Sequence, residues 1–386
     1  MRLIFLFSFL FSFNSVLPQK CVPEKYNEKR HVKKIVRLIQ KKAYYAALDE
    51  LRFTKDIVIF SALKSEIFWR QANFFNSENE GLKVIYSCPD NFPKVYYFLG
   101  EIAFNRKDYV NADFYLRKSL DLGISDPYYS NAVNLYSNAK VLAEIINNPV
   151  PFEPEIVSDI STIYDEYLPV ISPDQELSFF TRRYDRSSMN SITNTTVEEF
   201  FSSKKNNGKF DSGQALSSPF NLGNNEGGAS ITIDNGVLYY TKCITNEKGY
   251  NNCDIYYVNR VDNKWSEVQT FSDKISKLDS WESQPTVSSD GETIIFASDR
   301  AGGYGKIDLY EINRQKGEWT NPKNLGPVVN SAEDEKSPYL HTDGRTLFFS
   351  SSNFPSLGGF DIFYSRKDSL GNWLKPHNIG YPINTG

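Results

Sequence analysis

The sequence predicts a two-part chain of α plus all-β class, an N-terminal α-solenoid followed by the blades of an incomplete β-propeller. Three observations carry this. A block recurs along the second half, so that Trp265, Trp319 and Trp373 fall at intervals of 54 residues. In each block Asp-Gly or Asn-Gly sits between two short apolar runs, the strongest local hairpin signal, because the tight turn needs positive φ. Ahead of the blocks, from about Glu24 to Asn147, apolar residues recur at helical spacing.

The clearest block runs from Ser283 through Asp290-Gly291, Ile294-Ile295-Phe296, Ser298-Asp299-Arg300, Gly302-Gly303 and Asp308-Leu309-Tyr310 to Trp319. The next repeats each station with Ser337-Pro338, Asp343-Gly344, Leu347-Phe348-Phe349, Gly358-Gly359, Asp361-Ile362-Phe363 and Trp373. One block earlier stand Asn235-Gly236, Val237 to Tyr240, Asp254-Ile255-Tyr256 and Trp265, and a weaker first copy holds Pro173-Asp174, Phe179-Phe180 and Phe200-Phe201. Each block reads as four short antiparallel strands, and a block of this length matches one propeller blade. A lone blade buries too little apolar surface to offset the ordering of its backbone, so neighbouring blades must supply the rest.

In the helical part, Tyr96-Tyr97-Phe98-Leu99-Gly100 followed by Asp108-Tyr109-Val110-Asn111-Ala112 resembles a tetratricopeptide repeat, the Leu-Gly pair letting two helices approach. Ala43 to Leu48 and Tyr128 to Ala132 continue the theme with poorer matches. Core packing is the expected role of most of these aromatics. The run Asn147-Asn148-Pro149-Val150-Pro151 breaks the pattern and reads as a linker. Expected boundaries are residues 1–19 for a signal peptide, 20–147 for the helical domain, 148–163 for the linker and 164–386 for about four blades stopping before a fifth.

Met1 to Gln19 read as a secretory signal, with Arg2 as the positive end and an apolar stretch from Leu3 to Phe13 too short to span a bilayer. No later segment reads as a transmembrane helix. Cys21 sits where a lipoprotein's acylated cysteine would, but Pro18-Gln19-Lys20 lacks the small residues that processing prefers, so lipidation is the lesser expectation. Four cysteines in an exported chain invite disulfides. Cys243 and Cys253 flank a turn-rich loop between two strands of one blade and are the expected pair, which leaves Cys21 and Cys88 as candidates for a second.

The chemistry of catalysis is hard to find. There is no Gly-x-Ser-x-Gly elbow, no His-Glu-x-x-His and no phosphate-binding Gly-x-x-x-x-Gly-Lys-Ser/Thr loop. Only His31, His341 and His377 are present, and none has ligand spacing to a cysteine, so no metal and no cofactor is expected. The net charge of −4 with interspersed signs argues against a nucleic-acid partner. The turns at Asp290-Gly291 and Asp343-Gly344 resemble the Asp-box turns of sialidases but lack the closing Trp. Asp254, Asp308 and Asp361, one per block, are expected to accept backbone N–H bonds in their turns rather than to bind or react.

The pattern Asp-Gly-x-x-(Leu/Ile)-x-Phe-x-Ser-x-Arg, then Gly-Gly, then Asp-(Ile/Leu)-(Tyr/Phe), resembles the TolB-type propeller repeat. Joined to a tetratricopeptide-like region, it resembles the exported OmpA-family envelope proteins, a periplasmic subunit of the type IX secretion system among them. The resemblance implies a noncatalytic, periplasmic, outer-membrane-associated scaffold in secretion or gliding machinery, with other envelope or secretion-system proteins as partners. In that family peptidoglycan is held through a C-terminal domain absent from these residues. Exposed loops carrying Arg300, Lys306, Asn353 and Phe354 are the expected protein-binding sites. The rival expectation is an exported propeller enzyme acting on glycans or peptides, or a glycan-binding module.

Overall fold

The computed structural model describes residues 20–386 except 53, 55–56, 187–194, 223–224, 246–250, 272–273, 278 and 354. The expected signal peptide, the middle of the loop between Cys243 and Cys253, and Phe354 thus lie outside the described residues. The chain forms two compact units, dividing between Asn147 and Asn148.

Among its described residues the first unit holds seven helices: α1 (Tyr26–Gln40), α2 (Tyr44–Leu51), α3 (Val58–Arg70), α4 (Phe74–Ser87), α5 (Pro93–Asn105), α6 (Tyr109–Asp121) and α7 (Tyr129–Asn147). They pack in series, and α3 and α7 also touch α5. The same turn recurs between the paired helices. Lys42, Ala72 and Lys107 each adopt positive φ, and each is followed by one residue and then an aromatic that opens the next helix. Asn73 and Asp108 cap α4 and α6 by accepting the N–H of Asn76 and Asn111, each at 3.3 Å. Gly100 has the role read from the sequence: a Cβ there would lie 2.6 Å from Leu116 Cγ, so α5 and α6 meet only because position 100 has no side chain. Trp69 stacks on Phe98 at 4.6 Å between centroids, with Tyr97 and Tyr128 edge-on around it.

The second unit is a four-bladed β-propeller of antiparallel sheets. Its inner strands are Asp165–Ile171, Asn225–Ile231, Glu282–Val287 and Glu335–Leu340. Each pairs with a second strand, Leu177–Arg186, Val237–Thr245, Thr293–Ser298 or Thr346–Ser351, which pairs in turn with a third, Thr195–Asn206, Asn251–Val261, Asp308–Gln315 or Asp361–Arg366. The outer strand shrinks to two residues, as at Lys323–Asn324, because the chain from the third strand first makes a tight hairpin at Glu318–Trp319.

Alternation along the strands divides the apolar residues between the two faces of each blade. Ile294, Phe296, Tyr310 and Ile312 of blade 3 pack with Tyr239 and Ile255 of blade 2, whereas Ile295, Ala297 and Leu309 pack with Leu347, Phe349 and Phe363 of blade 4. Phe179 and Phe200 of blade 1 likewise meet Leu238 and Tyr240 of blade 2. Among the described residues, no strand of blade 4 packs on a strand of blade 1 in the way consecutive blades pack.

Every inner strand carries a bulge at the same place, marked by positive φ at Leu168, Gly228, Gln284 and Ser337. Side chains then cross the centre of the propeller. Ser230 accepts the N–H of Val287 at 3.0 Å, Thr286 accepts that of Leu340 at 3.0 Å, and Gln284 accepts that of Ser337 at 2.8 Å. Of the Gly-Gly pairs read as positive-φ loop positions, Gly302 has φ 91°. Gly303 and Gly358 serve close approach instead, since a Cβ would lie 2.6 Å from Asp308 Oδ2 and 2.5 Å from the Thr385 carbonyl respectively.

Cys243 is bonded to Cys253, directly across the second and third strands of blade 2, and Cys21 is bonded to Cys88 in the helical unit. A Cys21 sulfur held in this bond is not available for a lipid thioether. Thiol labelling of the unfolded, unreduced protein is expected to find none of the four cysteines free. Reduction is expected to weaken the helical unit more than the propeller: closing 67 residues is worth about 4 kcal/mol by chain entropy, closing 10 about 3. Two or more labelled thiols before reduction would contradict the pairing.

Candidate functional site

The propeller's loop face is built on a carboxylate at the same station of every inner strand: Glu166, Glu226, Glu282 and Glu335. Their cross-strand partners are Arg182, Lys242, Ser298 and Ser351. Each reaches back to a backbone N–H four or five residues earlier in the segment entering its blade, from Thr162 at 3.2 Å, Asn221 at 3.0 Å, Lys277 at 3.2 Å and Ser331 at 2.7 Å. Hydroxyls add to this: Ser280 and Ser298 donate to Glu282 Oε1 at 2.6 and 2.9 Å, and Ser331 and Ser351 to Glu335 Oε1 at 2.6 and 2.7 Å. Burial pushes the carboxyls of Glu226 and Glu335 above the usual range, against the pull of these donors. At Glu166 burial also pushes upward, but Thr162 and Arg182 outweigh it and the net direction is down.

Arg300 belongs to this framework, which corrects its expected place on an exposed docking loop. It is 8% exposed. Its guanidinium lies 3.1 Å from Glu282 Oε1, donates to the Ile275 carbonyl at 3.0 Å and to Ser298 Oγ at 2.9 Å, and lies 5.1 and 5.0 Å from the centroids of the stacked Phe296 and Tyr310 rings. The buried negative charge of Glu282 draws it inward. Lys306 is exposed and paired with Glu333, and Asn353 is exposed, its N–H donating to Ser351 Oγ at 3.2 Å. Lys306 is therefore carried on a firm loop: Asp308 accepts the N–H of Tyr304 at 2.6 Å and of Gly305 at 3.0 Å, and Lys306 N–H bonds the Glu333 carbonyl.

The recurrent aspartates divide. Asp308 holds its turn as just described, and Asp361 accepts from Leu357 at 2.8 Å and Gly358 at 3.0 Å. The hairpin residues behave similarly, Asp290 accepting from Ser288 and from the Glu292 N–H, and Asp343 from the Arg345 and Thr346 N–H groups. Asp254 departs from the pattern. It lies half-buried beside the Glu282 carboxylate of the next blade, and its Oδ1 finds no donor among the described residues. Burial first, then the neighbouring charge, pushes its carboxyl up to about 6, because a protonated Asp254 supplies the donor that two facing carboxylates lack.

Between the inner strands lie cavities of about 510 and 500 Å³, walled by Ile171, Ile231, Val287 and Leu340 and by the hydroxyls of Ser230 and Thr286. Among the described residues Asp174 is the one carboxylate on their walls, and it is engaged by Ser172, Glu176 and Asn235. Such a lining can hold an apolar group but offers no acid–base pair or activated nucleophile. In the helical unit a groove of about 450 Å³ runs along α1, α3 and α5, lined by Val36, Leu63, Phe98 and Tyr128, with the Glu66–Arg70 pair bonded to Tyr128. Among the described residues no group of three His, Cys, Asp or Glu is placed to hold a metal ion.

The inner-strand glutamates were not read from the sequence, although the signal was present. Glu282 and Glu335 stand just upstream of Ser283-Gln284-Pro285 and Ser337-Pro338, the stations used to align the blocks, and starting each block a turn earlier brings out the repeat.

No protein-family model and no curated protein matches the chain. In structure it is similar to a Mycobacterium tuberculosis puromycin-hydrolyzing peptidase, at 13% identity over 57% of this chain and 32% of that one, with a TM-score of 0.34. It is similar also to Kuenenia stuttgartiensis hydrazine synthase, at 14% identity over 55% and 32%, TM-score 0.34, and to Trypanosoma rangeli sialidase, at 10% identity over 55% and 38%, TM-score 0.32. The match spans about a third of each of those chains. At these identities and scores it carries no argument about activity.

Two outcomes are expected. Arg300→Ala uncovers the buried Glu282 charge and should lower stability by about 3 kcal/mol in urea unfolding, whereas Lys306→Ala should leave the midpoint unchanged; equal effects would contradict the burial of Arg300. The second concerns pH. Because the folded state holds the Asp254 proton up to about 6, while an unfolded Asp releases it near 3.9, stability from this group falls as pH rises through that window. Asp254→Asn should therefore be more stable than the parent at about pH 8 and close to it at about pH 4. A stability difference that does not change with pH would contradict the pairing of the two carboxylates.

Proposed function

We propose that this chain is a noncatalytic periplasmic scaffold of an outer-membrane-associated assembly, in secretion or gliding machinery, that docks other envelope proteins on its helical and propeller surfaces. One observation carries the docking role. The apolar residue after the third-strand aspartate is 0% exposed in blades 2 and 3, at Ile255 and Leu309, where the next blade covers it, but the equivalent Ile362 of blade 4 is 40% exposed. Phe360, 48% exposed, lies on the approach to it. A face with the composition of a blade interface and, among the described residues, no blade upon it is suited to being covered. We read the propeller as incomplete at this edge, and the recurring turns at Lys42, Ala72 and Lys107 support the reading of the helices as a tetratricopeptide-like solenoid.

Two further observations support the scaffold over an enzyme. Apart from Asp254, the carboxylates that recur from blade to blade are engaged in turns and strand latches, which are folding roles. Two disulfides suit an oxidising compartment, as a periplasmic location requires.

Partner capture from envelope fractions tests the proposal. Ile362→Asp, Lys306→Glu and Asn353→Arg should each weaken capture by about fivefold or more, which corresponds to the loss of about 1 kcal/mol at an interface, with circular dichroism and melting unchanged. Capture that survives all three changes removes these surfaces. A reproducible hydrolase activity on glycans or peptides, abolished by one carboxylate substitution that leaves the fold intact, overturns the scaffold reading.

A further inference from the structure

Helix α1 concentrates positive charge in a chain whose net charge is −4. Between Lys25 and Lys42 stand eight Lys or Arg residues and a single acid, Glu28. At 100° per residue, Lys29, Lys33, Tyr26, Arg37, Arg30, Lys41 and Lys34 fall within an arc of about 140°. All seven are exposed. Val32, Ile35, Val36 and Ile39 occupy the opposite side and are packed in the core of the helical unit with Leu51, Phe60 and Leu63.

Little within the chain neutralises this face. Glu50 of α2 pairs with Lys34 and faces His31, and Glu28 accepts the backbone N–H of Lys25. Among the described residues Lys29, Arg30, Lys33, Arg37 and Lys41 have no ion-pair partner, and Asp49 of α2 lies beside Arg52. The stripe is about 22 Å long for a helix of fifteen residues. Two aromatic side chains with polar tips are exposed on the same pair of helices: Tyr26, within the arc at the start of α1, is 78% exposed, and Tyr45, at the start of α2, is 86% exposed.

The chemistry of this face selects its partner. Lysine is depleted from protein–protein interfaces, where shape and desolvation decide, and none of the five unpaired cations lines the helical unit's cavities of about 840 and 450 Å³. A lysine-rich stripe suits a fluid surface of anions that needs no fixed shape, and exposed tyrosines suit its headgroup layer. Nucleic acid is disfavoured by the two disulfides, which fit an oxidising compartment. The apolar side of α1 is already buried in the unit, so the helix does not have to insert in order to bind. We propose that the cationic face of α1 docks the chain peripherally on the anionic phosphate headgroups of a membrane.

Vesicle co-sedimentation of the disulfide-intact chain, residues 20–386, tests this. Vesicles of phosphatidylcholine with about 30% phosphatidylglycerol are compared with phosphatidylcholine alone, at low and at physiological salt. Each cation near an anionic surface adds about fivefold to partitioning, so Arg30→Glu/Lys33→Glu/Arg37→Glu should lose binding by well over tenfold. The neutral triple variant Arg30→Gln/Lys33→Gln/Arg37→Gln should lose less, and circular dichroism checks that both fold. A control, Lys107→Glu/Arg117→Glu/Lys140→Glu, changes net charge equally on the same unit and should bind as the parent does. Equal binding to both kinds of vesicle, binding by the α1 variants equal to that of the parent, or equal loss in the control overturns the proposal. So does the absence of vesicle binding together with capture of soluble polyglutamate through the same three residues, which would assign the face to an acidic protein.

Discussion

The propeller depends on one constraint: a glutamate at the head of each inner strand, buried in blades 2, 3 and 4 and partly buried in blade 1, must find donors there. Burial of a carboxylate costs several kcal/mol unless hydrogen bonds compensate it, and the donors within reach are backbone N–H groups and hydroxyls of the segment entering the blade. Satisfying Glu226, Glu282 and Glu335 therefore ties each inter-blade connection to the strand that follows it. Asn221 and Asn330 complete the tie from the other side, each accepting from and donating to the backbone of a third strand, at Phe200 and Leu309, and Asn384 makes the same pair of bonds with Ile362. The blade interfaces are apolar and tolerant of sliding. The polar latches fix where each blade stops.

The latch varies in its charge. Arg182, Lys242 and Arg300 stand near the glutamates of blades 1, 2 and 3, whereas Asn353 occupies in blade 4 the station of Arg300, and Glu335 relies on serines. Asp254 adds a second carboxylate at the blade 2–3 boundary, where Arg300 answers only Glu282. The same recurrence therefore yields unequal stations: Glu335 is held by serines, Glu226 Oε1 meets only the Lys242 ammonium at 3.4 Å, and the boundary of blades 2 and 3 holds a proton at mildly acidic pH.

Much of the fold was legible because it is periodic. The Trp spacing, the Asp-Gly turns and the Leu99-Gly100 pair each have one strong physical cause, and the hairpins, blades and helix approach followed. The outer strands are the least legible part, because two-residue ladders leave almost no pattern. The site was less legible. Arg300 looked like a loop charge because its partner Glu282 lies eighteen residues away, and only the pairing of the first two strands brings them into one plane. Ile362 reads in sequence like Leu309; the difference between them lies in whether a neighbour stacks outside. The cationic face of α1 is fully written in the sequence, but net charge over the whole chain hides it.

The proposed scaffold role rests on surfaces: most of the polar groups that recur hold the blades, and an apolar blade face, firm loops and a charged helix are exposed among the described residues. Native-state hydrogen exchange tests the claim on which this rests. If the glutamate latches hold the propeller together, the amides of Asn221, Lys277 and Ser331, although they lie in connecting loops, exchange as slowly as inner-strand amides and open only with the whole unit. Exchange of those three amides at the rate of exposed loops, with the strands still protected, would contradict it.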